Sequence, residues 1–185
     1  PKETKIISPY ISTKRRYHGI HDQQAILVFS LTLLFLAFLT HNKVFLAGND
    51  ASRFAQIEAL VDYGHTYVNE SRYNWTLDLV AIDGKEFSNK PPVFSVVGAA
   101  IYFVLKKVMG LSFAQDEAKT VYLLTLIMVG LPSAWLVAIF HSGLRRYENI
   151  PFYAKNLTTL AMATGTILTT FSVTMNNHTT AAAFL

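Results

Sequence analysis

The sequence contains no cysteine and few charged residues. None of its 185 residues is cysteine, so disulfide bonds and thiolate metal sites are excluded. Only 15% of the residues are charged, against about 25% in soluble domains. The hydrophobic fraction of 51% is close to the soluble average of about 45–50%, so the unusual feature is the missing charge. This composition predicts an integral membrane protein.

Several functional motifs are also missing. The sequence has no zinc-ligand spacing, no phosphate-binding glycine loop and no nucleophile elbow. No basic stripe interleaved with aromatic residues is present, so we expect no nucleic-acid partner. The 13 phenylalanines and nine tyrosines instead suit the interior and interface of a lipid bilayer.

Long uncharged runs divide the chain into a tail and a membrane module. Residues 1–24 are polar, and the cluster Lys14-Arg15-Arg16 predicts a cytoplasmic tail. Because a spanning helix needs about 20 mostly apolar residues, residues 25–185 predict an all-α, multi-pass fold. The chain begins at Pro1 and ends within an apolar run, so we expect a piece of a longer protein. The predicted spans are residues 25–47, 121–140 and 157–175.

A polar stretch between the first two spans, residues 48–118, predicts a loop on the outer face. Apolar residues at helical spacing predict an amphipathic helix over residues 51–63 that lies in the interface. A second helix is predicted over residues 91–109, where a proline suits the first turn. The segment between them, residues 65–89, is predicted to be irregular, with Asp83-Gly84 as a turn.

Two membrane topologies are compatible with the charges. If residues 91–109 span the membrane, Arg145-Arg146 lies outside, and Asp50 and His178 lie on opposite faces. If residues 91–109 stay on the outer face, Arg145-Arg146 lies in the cytoplasm, and Asp50 and His178 share the outer face. We favour the second topology, because the run is shorter than about 20 residues and basic residues mark the cytoplasmic side.

Three residues of the outer loop are candidates for chemistry. Asp50 follows the first span, where the dielectric constant falls, and its carboxylate could accept a proton from an attacking group. A helix N-cap alone would explain an aspartate there, and the position by itself favours that interpretation. Lys90 precedes Pro91-Pro92, which restrict the backbone, and it suits a lipid phosphate or an ordinary interfacial position. Arg53, one turn from Asp50, could pair with it or hold a phosphate oxygen.

Three further residues are weaker candidates for an acceptor site. His178 lies beyond the third span in the second topology, and ionisable groups at membrane depth are functional candidates. A polar loop residue that precedes a helix is the alternative interpretation. Asp78 and Glu58 are acids of the outer loop that could equally be solvated or structural.

Several stretches resemble the GT-C glycosyltransferases that use polyprenyl-phosphate sugars, including protein O-mannosyltransferases and aminoarabinose transferases of lipid A. The similarity covers roughly Gly48 to Leu185. It is carried by residues 49–54 (NDASRF), 59–64 (ALVDYG), 83–92 (DGKEFSNKPP), 131–134 (LPSA) and 177–179 (NHT).

The resemblance implies a GT-C-like helix bundle with juxtamembrane helices in its first outer loop. It implies that Asp50 is the catalytic base, that Lys90 binds the donor phosphate, and that the second outer-loop motif contains His178. Relatives often carry an acid at the position of His178, so the resemblance leaves a divalent metal open and assigns no certain cofactor.

The implied activity is transfer of a hexose or pentose from a polyprenyl-phosphate carrier, with inversion, to a protein, lipid or glycan acceptor. The enzyme would lie in the inner membrane with a periplasmic active face, or in the endoplasmic reticulum membrane of a eukaryote. One alternative is a non-catalytic subunit that scaffolds a larger membrane complex. A transporter or lipid-binding module is a second alternative, but the charge-free spans argue against it.

Overall fold

A computed structural model of the protein describes residues 18–44 and 49–185 and is 67% helical. The basic cluster Lys14-Arg15-Arg16, residues 45–47 of the first predicted span and Gly48 of the predicted outer loop lie outside the described residues. The elements in chain order are α1 (His18–Leu39), α2 (Asn49–Glu58), a π-helical turn (Ala59–Tyr63), β1 (Leu79–Ile82), β2 (Lys85–Ser88), α3 (Pro92–Met109), α4 (Phe113–Thr125), a second π-helical turn (Leu126–Gly130), α5 (Leu131–Leu144), α6 (Phe152–Thr164), α7 (Ile167–Ser172) and α8 (His178–Ala183).

Within these described residues, two helices are long and apolar enough to cross a membrane. One is α3, with 18 residues and a mean hydropathy of 1.6. The other is the 32-residue helix Phe113–Leu144, with a mean hydropathy of 2.2, which we call the long helix. Its helical geometry is interrupted at Asp116, where φ is −127° and ψ is 45°. At 1.5 Å per residue the part over residues 117–144 measures about 42 Å, more than the ~30 Å hydrocarbon core of a bilayer. These lengths and compositions support a membrane-associated helical protein.

The element boundaries differ from the predicted ones in two apolar runs. Helix α1 starts at His18, before the predicted boundary at residue 25, and ends at Leu39. The run over residues 157–175 is two helices, because α6 ends at Gly165 and α7 begins after Thr166. The Thr166 hydroxyl accepts a hydrogen bond from the Leu168 amide at 3.3 Å, so this threonine caps a new helix.

A β-hairpin replaces part of the loop that was predicted to be irregular. Strands β1 and β2 pair antiparallel, with Leu79 opposite Ser88 and Ile82 opposite Lys85. Asp83 and Gly84 both have positive φ, 49° and 75°, as a two-residue turn of type I′ requires. The turn predicted at Asp83-Gly84 is therefore present, and the all-α description must be extended by one two-stranded sheet.

The helices pack so that the bundle has two distinct ends. At one end, where α1 terminates and the long helix begins, the Tyr122 hydroxyl donates to Ala37 O at 2.9 Å and the His41 amide donates to Val173 O at 3.2 Å. At the tail end, the start of α1 meets the end of α5 and the start of α6 around one groove. Arg145-Arg146 therefore shares an end with the start of α1, an arrangement that the second topology requires.

A proline inside the long helix is compensated by a residue from α8. Pro132 has no amide N–H, so the carbonyl of Met128, four residues earlier, lacks its α-helical donor. The Thr180 hydroxyl donates to that carbonyl oxygen at 2.8 Å. Hydroxyl groups from neighbouring helices are a common replacement at such positions in membrane proteins, and this one fastens α8 to the long helix.

The main hydrophobic core lies between α2, α3 and the long helix. The rings of Phe54, Tyr73 and Phe113 form a triangle with centroids 5.6–5.9 Å apart. Gly98 of α3 packs closely against Ile57 and Met128 of the same core. A Cβ at this position would lie 2.5 Å from Ile57 Cδ1 and 2.9 Å from Met128 Sδ. The close approach at Gly98 thus packs α2 and the long helix tightly against α3.

We expect Gly98→Leu to destabilise the protein and the matched Gly143→Leu to have little effect. The larger side chain at residue 98 must displace Ile57 and Met128, which costs about 1–3 kcal/mol. A Cβ at Gly143 of α5 meets no atom within 4 Å. Thermal unfolding of both purified variants in detergent measures the difference, and equal melting temperatures would contradict the tight packing at Gly98.

Candidate functional site

Asp50 lies in the first turn of α2. Its Oδ1 accepts a hydrogen bond from the Ala51 amide at 3.0 Å, and the side chain is partly buried. The exposed amides and dipole at a helix N-terminus stabilise a negative charge. The position therefore favours the ionised carboxylate, the form that both a proton acceptor and a helix cap require.

Arg53 is buried one turn further along and joins three parts of the chain. It is 5% exposed; its Nη1 donates to Asn49 O at 2.7 Å and its Nη2 donates to Asn177 Oδ1 at 2.9 Å. Its guanidinium carbon lies 5.8 Å from the Phe94 ring centroid. Burial lowers the pKa of Arg53, whereas the charges of Asp50 and Asp78 oppose that shift, and an arginine stays protonated under such conditions.

Lys90 forms an ion pair with Asp78. Its Nζ lies 3.1 Å from Asp78 Oδ2, and both side chains are largely shielded, at 17% and 28% exposed. Asn89 Nδ2 lies 3.4 Å from the other carboxylate oxygen of Asp78. An ammonium group has three N–H donors, so Lys90 retains donor capacity beyond this ion pair.

The hairpin is what brings Asp78 and Lys90 together. They lie just outside the paired strands, where the Asn89 amide donates to Asp78 O at 3.2 Å and extends the ladder. Ser52 of α2 donates to the same Asp78 oxygen at 2.9 Å and lies 2.6 Å from Ser88 Oγ. The base of the hairpin is thus fixed to the first turns of α2.

Four of the six candidates from the sequence, together with one residue that was not predicted, form a single constellation. We call Asp50, Arg53, Asp78, Lys90 and Asn177 the loop cluster. Asp50 and Asp78 both act electrostatically on Arg53, so the cluster balances two acids against two cations. A cluster of carboxylates and cations of this kind can accept a proton and hold a phosphate.

His178 itself points to different neighbours. Its amide donates to Asn176 Oδ1 at 3.0 Å, and its exposed ring lies edge-on to Phe171 at 5.4 Å. The second outer-loop motif therefore contacts Arg53 through Asn177. The sequence signal for Asn177 was its place in the same Asn-His-Thr triplet, whereas the role of Ser52 had no signal beyond its position next to Arg53.

Glu58 lies outside the loop cluster, in a separate buried network. It is 2% exposed and accepts hydrogen bonds from Ser71 Oγ at 2.6 Å, the Arg72 amide at 3.0 Å and Arg72 Nε at 3.2 Å. This network attaches the loop after α2 to the helix itself. Its geometry favours the structural interpretation of Glu58.

In the described part of the chain, no group of three or more histidine, aspartate or glutamate side chains could hold a metal ion. No protein-family model, no curated protein and no solved structure matches the sequence or the fold significantly. The function is therefore inferred from the loop cluster, its surroundings and the sequence resemblance.

Proposed function

We propose that the protein is a membrane glycosyltransferase with a GT-C-like bundle, or the part of one that contains the donor site. It transfers a sugar from a polyprenyl-phosphate carrier to a protein, lipid or glycan acceptor. The loop cluster lies on the extracytoplasmic face of the inner membrane, or on the lumenal face of the endoplasmic reticulum in a eukaryote.

The observation that carries this proposal is the clustering of a candidate base and candidate phosphate-binding cations around Arg53. Asp50 and Asp78 both act electrostatically on Arg53, and Lys90 pairs with Asp78. The candidate base and cations come from the start of α2 and from the segment before α3, and Asn177 joins them from far along the chain. In the sequence they are the residues for which the family resemblance implies a base and a phosphate-binding cation. Their proximity is what a single displacement reaction needs.

The reaction follows from the charges of these groups. Asp50 takes the proton of the acceptor hydroxyl or amine as that group attacks the anomeric carbon. The bond between the anomeric carbon and the phosphate oxygen breaks, and its electron pair leaves with the polyprenyl phosphate. Lys90 and Arg53 stabilise the negative charge that grows on the phosphate. One displacement inverts the anomeric configuration. No residue of the loop cluster is assigned to a metal ion in this reaction.

The packing of α3 supports the topology in which it remains at the outer face. Asp62, at the end of the first π-helical turn, lies 2.6 Å from Lys106 Nζ and accepts from the Tyr102 hydroxyl at 2.9 Å. Near the other end of α3, Phe94 lies against Arg53. Helix α2 and the π-helical turn thus follow α3 along its length and bring the charged groups of Arg53 and Asp62 against it. Charged groups of this kind suit a position near the membrane interface more than one in the lipid interior.

A scaffold subunit is the second candidate function, and the ion pair of Lys90 with Asp78 favours it. A lysine whose role is only structural would be held at 3.1 Å from an acid in this way. In that case the loop cluster stabilises the outer loop within a larger complex, and no residue of it contacts a sugar donor.

Lys90→Ala distinguishes the two functions. We expect its KM for a radiolabelled polyprenyl-phosphate sugar to rise about 10- to 100-fold in membranes, because a hydrogen bond to a charged group contributes about 1.5–3 kcal/mol. Lys85→Ala removes an exposed lysine at the start of β2 in the same hairpin and should leave KM unchanged. Equal KM values for Lys90→Ala and the wild type would contradict the role in donor binding.

A further inference from the structure

A groove of about 340 Å³ opens at the tail end, between α1, α5 and α6, away from the loop cluster. Its lining is mostly apolar and includes Leu27, Leu31 and Leu160. Three polar side chains line the end that we call the mouth: Gln24 on α1, His141 on α5 and Asn156 on α6. A groove with one apolar and one polar part fits an amphiphile better than a small polar solute.

Polar atoms around the mouth lack partners. Gln24 Oε1 and Arg145 Nη1 are buried and have no hydrogen-bond partner among the residues that the structure describes. His141, in contrast, is 3% exposed and satisfied, with Nδ1 2.9 Å from Thr159 Oγ1. Buried polar groups are normally paired. The two unpaired atoms therefore indicate that a bound molecule supplies a donor to Gln24 Oε1 and an acceptor to Arg145 Nη1.

The mouth carries positive charge. Arg145 lies one turn beyond His141, and Lys155 lies one turn before Thr159, with Lys155 Nζ 3.5 Å from Arg145 O. Within the described part of the chain neither cation forms an ion pair with an acidic side chain. An anionic group would therefore complement this end of the groove.

The same end has the features of a headgroup layer. Phe152 and Tyr153, at the start of α6, are 62% and 74% exposed, and exposed aromatic rings of this kind concentrate at membrane interfaces. Basic pockets between transmembrane helices on the cytoplasmic side bind anionic lipid headgroups. The apolar walls below the cations exclude a free phosphate as the complete ligand.

We infer that this groove binds one anionic phospholipid of the bilayer. Arg145 and Lys155 hold its phosphate, Gln24 contacts the glycerol ester region, and one acyl chain lies along Leu27, Leu31 and Leu160. The inference depends on the membrane placement of the helices and is independent of the sugar-transfer reaction.

Native mass spectrometry in detergent tests this inference. It compares the binding of phosphatidylglycerol with that of phosphatidylcholine, both with identical acyl chains. We expect phosphatidylglycerol to bind more tightly. Arg145→Gln combined with Lys155→Gln should weaken its binding about 25-fold, since each cation near the surface contributes about fivefold. The control, Lys85→Gln combined with Lys107→Gln, removes the same charge at other positions and should bind like the wild type.

A second variant separates a lipid site from a phosphate site. Ala163→Trp narrows the apolar part of the groove and leaves both cations in place, so it should abolish the preference for phosphatidylglycerol. Excess inorganic phosphate should not displace the lipid. Equal binding of the two lipids, wild-type binding by the double glutamine variant or by Ala163→Trp, or displacement by inorganic phosphate would each overturn the inference.

Discussion

Membranes that contain Asp50→Asn should transfer sugar about 10²–10⁴-fold more slowly than wild-type membranes, the usual contribution of general base catalysis. Asparagine has no basic carboxylate, so it cannot take the proton of the acceptor. It is nevertheless as good a helix cap as aspartate, and α2 should keep its first turn. This substitution therefore separates a catalytic role of Asp50 from a capping role, which its position in the structure allows equally.

The rate with a radiolabelled polyprenyl-phosphate sugar at saturating donor is the measurement. Asp83→Asn is the matched control, because Asp83 lies in the exposed hairpin turn with φ of 49°, a conformation that asparagine tolerates well. Expression and melting temperature should be unchanged in both variants. If wild-type membranes are active and Asp50→Asn equals them, Asp50 is only a structural residue and the proposed mechanism fails.

Glu58→Ala should lower the free energy of unfolding by about 1–3 kcal/mol, the usual cost of leaving a buried donor without its acceptor. The substitution removes the acceptor of Ser71 Oγ, the Arg72 amide and Arg72 Nε, whereas Arg72 Nη1 keeps Glu117 Oε2 at 3.7 Å. Because this loop lies against the aromatic core through Tyr73, the whole outer loop should loosen.

Glu70→Ala is the corresponding control in the same loop. Glu70 is 55% exposed and faces His65 at 3.4 Å, and an exposed pair of this type contributes about 0–1 kcal/mol. Chemical or thermal unfolding in detergent compares the two variants. A loss of stability at Glu58 no larger than the loss at Glu70 would show that Arg72 and Ser71 find other partners.

The parts of the fold with strong local signals could be predicted from the sequence. The bounds of α3, Pro92–Met109, follow from the prolines before it and from Gly110, which has a φ of 69° after it. The bounds of the first outer-loop helix, which begins at Asn49 and continues through the π-helical turn to Tyr63, follow from its apolar spacing. In both cases neighbouring residues determine the structure. The prediction that the first outer-loop helix lies in the interface with one exposed face is wrong, because residues 51–59 are all buried.

The partnerships within the loop cluster could not be predicted in the same way. Lys90 meets Asp78 only because two four-residue strands pair, and such short segments carry a weak pattern. Arg53 meets Asn177 across 124 residues of sequence, a contact that no local spacing encodes. The break at Gly165 interrupts the continuous span predicted over residues 157–175, a run in which no charged residue or proline marks an end.

The replacement of a missing amide donor by Thr180 also constrains the order in which the protein is assembled. The long helix ends at Leu144, and the hydroxyl that satisfies Met128 O belongs to residue 180. An unsatisfied carbonyl in hydrocarbon costs several kcal/mol, so water or lipid headgroups must solvate this oxygen until α8 has been synthesised and docked. The long helix should therefore reach its final depth in the membrane only late during biogenesis. The same segment that carries Thr180 also carries Asn177, so the contact of Asn177 with Arg53 should form at that stage.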